Sequence, residues 1–382
     1  MAYLAMSTNT IKTKRPLAGA RHSTSLMALS LSKGGSDAPL TTHYSPLTPN
    51  HRLLTRAALL LMAGLAACNT SPPGPEATQE VVSRVVIPPP AVGALRWNND
   101  PTLAFSADGA HLAYLVFQED GSRQIHVRDM AAGESRPVPG TEGGDTPFFS
   151  PVGSPDGLWL GFFADGSLKK VPLGGGAAVT LTPEAPNLRG ASWGPNGAIV
   201  FNLTDSDVLF EVSAAGGAPR QLTQRSEGET SHRWPHFLPD GKAVVFTVAV
   251  EASPASNPDD SQIAALQLDT GERKVLVRGG IFGRYAPSGP SGGTGHLVYH
   301  RAGTIMAVPF DPSTLEVRGT PALVLEDVLG SPPDTLTGVA QFSFSSGGSL
   351  AYIPPEQLTG GKIRILIAPN WFEELRQAST GR

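Results

Sequence analysis

The sequence has very little cysteine, and its apolar runs are short. Cys68 is its only cysteine, so no disulfide can form within the 382-residue chain. An eleven-residue apolar run at 57–67 is too short to span a bilayer comfortably as a helix. The repeated region at 81–368 shows no convincing 3.6-residue apolar period over ten or more positions. This excludes a parallel α/β fold, because such a fold needs crossover helices.

Glycine and proline are abundant, in contrast. The 43 glycines and 35 prolines make up about a fifth of the chain. They follow no three-residue period, which excludes a collagen-like structure. A hydrophobic content of 40% is enough to build a core. Many turn residues between short apolar runs predict many short strands.

One sequence motif recurs along the chain. It consists of an aromatic strand, a tight turn and an apolar strand. The segment FSADGAHLAYLV at 105–116 returns as FLPDGKAVVFTV at 237–248, and weaker copies lie elsewhere. The turns of the six copies fall at Asp108-Gly109, Asp156-Gly157, Asn196-Gly197, Asp240-Gly241, Ser291-Gly292 and Gly347-Gly348. Their spacing of 40 to 56 residues is typical of propeller blades.

Each copy predicts a four-stranded antiparallel sheet. Asx-Gly pairs favour tight reversals, because Gly adopts positive φ at little cost and the Asx side chain bonds the nearby backbone. One such sheet cannot bury both of its faces, whereas sheets stacked around an axis cover one another. We therefore predict an all-β fold, a β-propeller of about six four-stranded blades, over residues 81–368.

The segment HRLLTRAALLLMAGLAACNT at 51–70 combines a basic flank, an apolar run and small residues. Its ending, LAAC, resembles the lipobox of bacterial lipoproteins. The resemblance implies that the chain is cut before Cys68 and that this cysteine carries a lipid. Asn69 follows in place of the aspartate associated with inner-membrane retention, which favours the outer membrane. The alternative is an ordinary buried cysteine at the end of a hydrophobic helix.

We predict a leader and lipoprotein signal peptide at 1–67 and a Pro-rich tether at 68–80. Fifty residues before such a signal are unusual, so the true start is expected near His51. Seven of the 29 basic residues and one of the 33 acidic residues precede Cys68. The remaining chain therefore has 22 basic and 32 acidic residues and a net charge of −10. Such a surface repels phosphate backbones, so nucleic acid is not expected as a partner.

The turn SPDG at 154–157, followed by an apolar strand, resembles the repeat of TolB-like propellers, a Trp-Asp-like or PD40-type repeat. Two longer segments resemble the propeller region attached to many bacterial serine/threonine kinases of the eukaryotic type. They are SHRWPHFLPDGKAVVFT at 231–247 and GHLVYHRAGTIMAVPFDPSTLEV at 295–317. The chain has no Gly-rich kinase loop and no HRD or DFG motif, so the catalytic residues of those kinases have no counterpart here.

Both ends of the repeated region are predicted to complete the ring. The last copy supplies three strands, and VVSRVVI at 81–87 has no partner of its own. We predict that it adds the fourth strand, because an open ring would leave two blade faces exposed. In the tail at 369–382, a short helix is expected to pack Trp371, Phe372 and Leu375 onto the propeller.

Candidate ligand residues are sparse. His232, Arg233 and His236 lie in the phrase SHRWPHF. On an extended strand His232, Trp234 and His236 would share one face and could line the central channel, binding a metal or an acid. The competing interpretation is that they hydrogen-bond between blades. No Asp or Glu accompanies them at a spacing typical of metal ligands, so we predict no metal, cofactor or catalytic residue.

Three hypotheses about function remain. The leading one is a lipid-anchored, non-catalytic propeller of the cell envelope, on its periplasmic or extracellular face, that binds a protein, peptide or glycan. An alternative is a propeller-type polysaccharide lyase or hydrolase with channel-lining His and Arg. A third is a truncated remnant of a kinase-associated propeller protein, because relatives usually carry more repeats before the NWFEEL phrase.

Overall fold

Six antiparallel sheets follow one another along the chain, and each corresponds to one copy of the repeated phrase. The computed structural model describes residues 83–88, 93–96, 100–151, 158–183, 185, 189–203, 208–251, 260–288, 294–331, 337–355 and 363–380. All of them belong to the unit Pro75–Arg382. Cys68, the leader at 1–67 and the tether at 68–80 lie outside the described residues.

Each of the first three blades is a four-stranded meander whose strands pair in sequence order. Blade 1 consists of β2 (Leu103–Phe105), β3 (His111–Phe117), β4 (Arg123–Asp129) and β5 (Ser135–Glu142). Blade 2 consists of β6 (Asp145–Phe149), β7 (Trp159–Ala164), β8 (Ser167–Pro172) and β9 (Val179–Thr182). Blade 3 consists of β10 (Ala191–Trp193), β11 (Ala198–Asn202), β12 (Leu209–Ser213) and β13 (Arg220–Gln221).

The next two blades repeat this order, and the fifth carries one strand more. Blade 4 consists of β14 (Glu229–Phe237), β15 (Ala243–Val250), β16 (Gln262–Gln267) and β17 (Arg273–Arg278). Blade 5 consists of β18 (Ile281–Pro287), β19 (Gly295–Arg301), β20 (Thr304–Asp311), β21 (Glu316–Val317) and β22 (Ala322–Leu325). Both β21 and β22 pair with β20, so this blade departs from the predicted four strands.

The sixth blade joins the two ends of the propeller. It consists of β23 (Phe342–Phe344), β24 (Leu350–Tyr352), β25 (Ile365–Ala368) and β1 (Val85–Ile87), which pairs antiparallel with β25. The predicted closure by the N-terminal segment is therefore confirmed. The ring of six blades is complete, and the predicted all-β propeller is confirmed by this strand order.

The predicted Asx turns reverse the chain between the first two strands of a blade. Asp108 Oδ1 accepts a hydrogen bond of 3.0 Å from the backbone N–H of Ala110, and Asp240 Oδ1 accepts one of 3.0 Å from Lys242. Gly109 and Gly241 take φ values of +74° and +69°, where another residue would be strained. In blades 1 and 4 the Asp-Gly pair thus places the second strand beside the innermost one.

The core lies between the blades rather than at the axis. In β3, Leu112, Tyr114 and Val116 pack toward blade 6, whereas Ala113 and Leu115 pack toward blade 2. Side chains alternate along a strand, so an apolar run of this kind buries both faces of its sheet. Six such clusters occur among the described residues, one for each pair of neighbouring blades.

The C-terminal helix α1 (Trp371–Thr380) packs against β20 and β22 of blade 5 and against Phe344 of blade 6. Trp371 and Leu375 are buried and Phe372 packs beside them, as predicted. Glu374 of this helix forms a bidentate ion pair with Arg84, at 2.7 and 2.8 Å, so the two ends of the propeller hold each other. Within the described part of the chain, no helix has the length and apolarity to cross a bilayer.

We predict that the closing strand is essential for stability. Ile87 is 3% exposed and packs between blades 6 and 1, so Ile87→Asp would bury an unpaired charge and lower the free energy of unfolding by about 3–5 kcal/mol. Val86 is 46% exposed, so Val86→Asp should cost under about 1 kcal/mol. Urea unfolding of both variants measures the difference. Equal midpoints would contradict the closure, as would an unchanged melting curve after deletion of residues 69–88.

Candidate ligand-binding channel

The innermost strands of all six blades surround one cavity. Its volume is about 480 Å³, within the range of ~300–1,000 Å³ that is usual for pockets that bind small molecules. Residues of β2, β6, β10, β14, β18 and β23, with the turns that follow them, contribute its wall. The cavity is therefore the central channel of the propeller.

An aromatic residue stands at the same position in all six innermost strands and lines this channel. These six residues, the aromatic ring, are Phe105, Phe149, Trp193, Phe237, Tyr285 and Phe344. The first four follow one another at intervals of 44 residues, which aligns the blades without any gap. Aromatic side chains give the channel wall a large apolar area with a fixed shape.

The rim of the channel lies two residues after each aromatic position. Its six residues are Ala107, Pro151, Pro195, Pro239, Pro287 and Ser346, and they too line the cavity. All of them are exposed or half-buried, so the cavity meets the surface here. Four of the six are proline, which lacks a backbone N–H and fixes its own φ angle. The rim is therefore stiff and poor in hydrogen-bond donors.

The residue just before each aromatic position varies in chemistry. These six residues, the variable ring, are Ala104, Phe148, Ser192, His236, Arg284 and Ser343, all of which line the channel. Ser192 Oγ accepts a 3.0 Å hydrogen bond from the backbone N–H of Phe237, and Ser343 Oγ accepts one of 2.9 Å from Phe105. Both serines thus connect neighbouring blades. The titratable residues of the variable ring are His236 and Arg284.

The side chain of Trp234 packs among residues of several blades, next to the residues that line the channel. It is fully buried, and its indole N–H donates to the carbonyl of Thr337 at 3.0 Å, just before blade 6. Its ring lies 5.8 Å from that of Phe282 in blade 5. A Cβ added to Gly190, beside blade 3, would come within 2.7 Å of the indole. Trp234 thus contacts residues beside blades 3, 5 and 6.

Arg284 lies next to Trp234. Its Nη1 donates to the carbonyls of Trp234 and Gly283 at 3.1 and 2.9 Å, and its guanidinium carbon lies 3.8 Å from the centre of the Phe282 ring. Burial lowers the pKa of Arg284 to about 9, so the side chain is still protonated at neutral pH. No Asp or Glu occurs among the described residues that line the cavity.

His236 is a neutral neighbour of this cation. Burial, and next the charge of Arg284, lower the pKa of its imidazole to about 3. At pH 7 the ring therefore offers one hydrogen-bond donor and one acceptor. Of the three residues predicted to line the channel, His236 is the one that the structure places in the wall of this cavity.

His232 and Arg233 lie elsewhere, and the predicted common face of His232, Trp234 and His236 is wrong. The pairing of β14 with β15 shifts register between Arg233 and His236, and Trp234 has a φ of +57°. This bulge ends the strict alternation of side chains. Arg233 donates from Nη1 to the carbonyl of Thr337 at 3.0 Å.

His232 is packed between blades. Its Nδ1 lies 2.8 Å from the hydroxyl of Thr223, and its Nε2 lies 3.1 Å from both Glu229 and Arg273. The edge of its ring packs against Phe246, with the two centroids 5.2 Å apart. This matches the competing interpretation of a histidine that hydrogen-bonds between blades. Within the described ranges, no group of three or more His, Cys, Asp and Glu is placed to hold a metal ion.

Sequence analysis missed Arg284, although the signal was present. The phrase GRYAP at 283–287 aligns with PHFLP at 235–239, so Arg284 and His236 occupy equivalent positions. Aligning the copies on the aromatic residue and the following proline, rather than on the turn, would have paired them. The chemistry of the site is thus that of an apolar channel with one cation and one neutral imidazole.

No protein-family model matches the sequence. Similar solved structures include TolB from Acinetobacter baumannii, with 17% identity over 59% of this chain and 57% of that one, at a TM-score of 0.43. A putative TolB from Agrobacterium tumefaciens has 18% identity over 66% and 90% of the two chains, at 0.42. An oligogalacturonate lyase from Vibrio parahaemolyticus has 11% identity over 76% and 94%, at 0.44. The propeller assignment rests on the strand pairing of this chain.

We predict that His236 makes the protein less stable in acid. An imidazole with a pKa of about 3 when folded and ~6.5 when unfolded binds its proton more tightly in the unfolded chain. Its contribution to stability is complete above pH 6.5 and is lost as the pH falls toward 3. Between pH 7 and pH 5 this amounts to about 2 kcal/mol, measured by urea unfolding.

His236→Gln removes the titrating group and serves as the comparison. Burial also lowers the pKa values of His126, His232 and His296, so the variant should keep part of the acid sensitivity but show a shallower slope. Parallel slopes for the wild type and the variant would show that His236 does not titrate in this way.

Proposed function

We propose that the protein is a lipid-anchored propeller of the bacterial cell envelope that binds a partner through its channel mouth without altering it chemically. The observation that carries this proposal is the aromatic-walled channel whose wall is contributed by all six blades. Such a cavity offers shape and apolar area for binding. The partner is a protein, peptide or glycan with a segment narrow enough to enter the proline-rich rim.

The anchor in this proposal is Cys68. The basic flank, apolar run and LAAC ending support lipidation at this residue, and Asn69 supports placement at the outer membrane. The Pro-rich stretch that follows would act as a semi-rigid spacer between the lipid and the propeller. A propeller tethered in this way samples partners near the membrane surface.

The anchor is tested by Cys68→Ala in a bacterial host. We expect the wild-type chain in the membrane fraction and the variant in the soluble fraction, because a chain without the lipid loses its hydrophobic attachment. Immunoblotting of the two fractions measures the shift, and a known lipoprotein of the host checks the separation. Equal membrane association of both chains would refute lipid anchoring at Cys68.

The binding role is tested by filling the channel. Ala104 lies in the variable ring, so Ala104→Trp would place a large ring inside the cavity. Val275, on the outer strand of blade 4, is 39% exposed, and Val275→Trp adds the same side chain outside the channel. We expect capture of an envelope partner by the tagged wild type and by Val275→Trp, and a loss of about tenfold or more with Ala104→Trp.

Capture that is equal for all three chains would show that binding occurs away from the channel. Capture of nothing above background by the wild type would refute the binding role itself.

A second candidate is catalysis on an acidic or neutral polysaccharide. It is favoured by the presence of His236 and Arg284 in one cavity, since an imidazole can move a proton and a guanidinium can hold a carboxylate. Turnover of a glycan by the wild type that His236→Ala abolishes would replace binding with catalysis. The same loss with His232→Ala would point to a structural effect, because His232 lies between the blades.

A further inference from the structure

Arg284 is a cation without a counter-charge in the wall of the channel. Within the described part of the chain, its hydrogen bonds run from Nη1 to two backbone carbonyls, and Nε and Nη2 have no acceptor. Asp108 and Asp240, in the turns after β2 and β14, accept bonds from the backbone N–H groups of Ala110 and Lys242 and do not line the cavity. Arg284 is thus the one formal charge among the described lining residues at neutral pH.

Such a placement costs stability. A charged group that is partly withdrawn from water needs a partner, and two carbonyl groups supply only part of what water would give. The lowered pKa of Arg284 reflects the same cost. A side chain that is retained against folding stability, inside a cavity open to solvent, is typical of a ligand site.

Thr146 provides a second polar contact in the same cavity. It lies in blade 2, across the ring from blade 5, and it is 3% exposed. Its hydroxyl has no hydrogen-bond partner among the described residues. A buried hydroxyl without a partner is uncommon, and this one belongs to a residue of the cavity wall.

Most of the remaining wall is apolar. Its six aromatic positions are Phe105, Phe149, Trp193, Phe237, Tyr285 and Phe344. A molecule in this space would meet π-faces, ring edges and a guanidinium. The channel thus combines a mostly apolar wall with a single cation.

We propose that the channel binds an organic carboxylate with an apolar, aromatic body, whose carboxylate pairs with Nε and Nη2 of Arg284. The planar guanidinium fork matches a carboxylate in two parallel hydrogen bonds. The six aromatic side chains of the channel wall pack against the apolar body of the ligand. This inference rests on the proposed binding function, because it names the ligand class of the same channel.

A phosphate group fits less well than a carboxylate. It carries up to two negative charges and three acceptor oxygens, which call for several donors. The channel has one cation, its rim is largely proline without N–H groups, and the carbonyls of Trp234 and Gly283 face the guanidinium. A single negative charge is matched by this set of donors, whereas a second one is not.

The test is calorimetric titration of the purified full-length chain with 3-phenylpropionate. Its uncharged counterpart, 3-phenylpropionamide, has the same shape and serves as the matched ligand, and inorganic phosphate is the third probe. We expect the carboxylate to bind at least about tenfold more tightly than the amide or phosphate, because a charge-assisted pair is lost in the amide. Equal affinities for carboxylate and amide would overturn the proposal.

Two variants locate the site. Arg284→Gln should weaken 3-phenylpropionate by about tenfold or more, whereas Arg284→Lys keeps the charge without the fork and should lose less. Arg220→Gln removes an exposed arginine of β13 and should leave binding unchanged. A thermal melt of each variant shows whether the fold is kept: Arg284→Gln should melt at or above the wild-type temperature. Unchanged binding in Arg284→Gln, or a fall of its melting temperature that accounts for the lost binding, would overturn the assignment.

The outcomes separate this inference from the proposed function. If Ala104→Trp abolishes capture of the envelope partner while 3-phenylpropionate does not bind, the channel binds a partner but the ligand class is wrong. If 3-phenylpropionate binds and Arg284→Gln abolishes that binding while no partner is captured, the ligand class stands and the envelope binding role fails.

Discussion

The structure depends on neighbouring sheets burying each other's faces. A blade such as β2 to β5 is one sheet thick, so Leu112 and Ala113, which are adjacent in sequence, enter two different cores. No blade can be stable with only one neighbour, because one of its apolar faces would remain in water. The ring must therefore close. Three contacts join the N-terminal and C-terminal parts of the propeller. Strand β1 pairs with β25, the side chain of Gln341 bonds Thr102, and Arg84 forms an ion pair with Glu374.

Because the core lies between the blades, residues near the axis need not be apolar. The innermost strands need only short apolar stretches, and their inner ends can carry Ser192, His236 or Arg284 without disturbing the packing between sheets. The bulge at Trp234 breaks the alternation of side chains in β14, and its indole N–H bonds the carbonyl of Thr337, just before blade 6. The residues that would meet a ligand are thus held by the most regular part of the fold.

The unpaired charge in the channel connects stability with binding. His236 is neutral beside Arg284, and both groups have lowered pKa values because they are withdrawn from water. A bound carboxylate would supply the missing charge, raise the pKa of Arg284 and stabilise the folded chain. Binding and folding would then be linked through one residue. The aromatic ring and the proline rim give the channel its shape, and the variable ring supplies polar and charged groups.

The sequence by itself determined the architecture. Asp-Gly turns, alternating apolar strands and a spacing near 44 residues are local signals, and their repetition implied a closed ring of six sheets with β1 as the closing strand. The site was decided by tertiary structure. Strict strand alternation placed His232 beside His236, but a bulge that depends on the packing of Trp234 separated them. Arg284 is 48 residues from His236 and shares the cavity wall with it only because adjacent blades meet at the axis. Local patterns encode turns and strands, whereas the convergence of distant side chains exists only after the ring has closed.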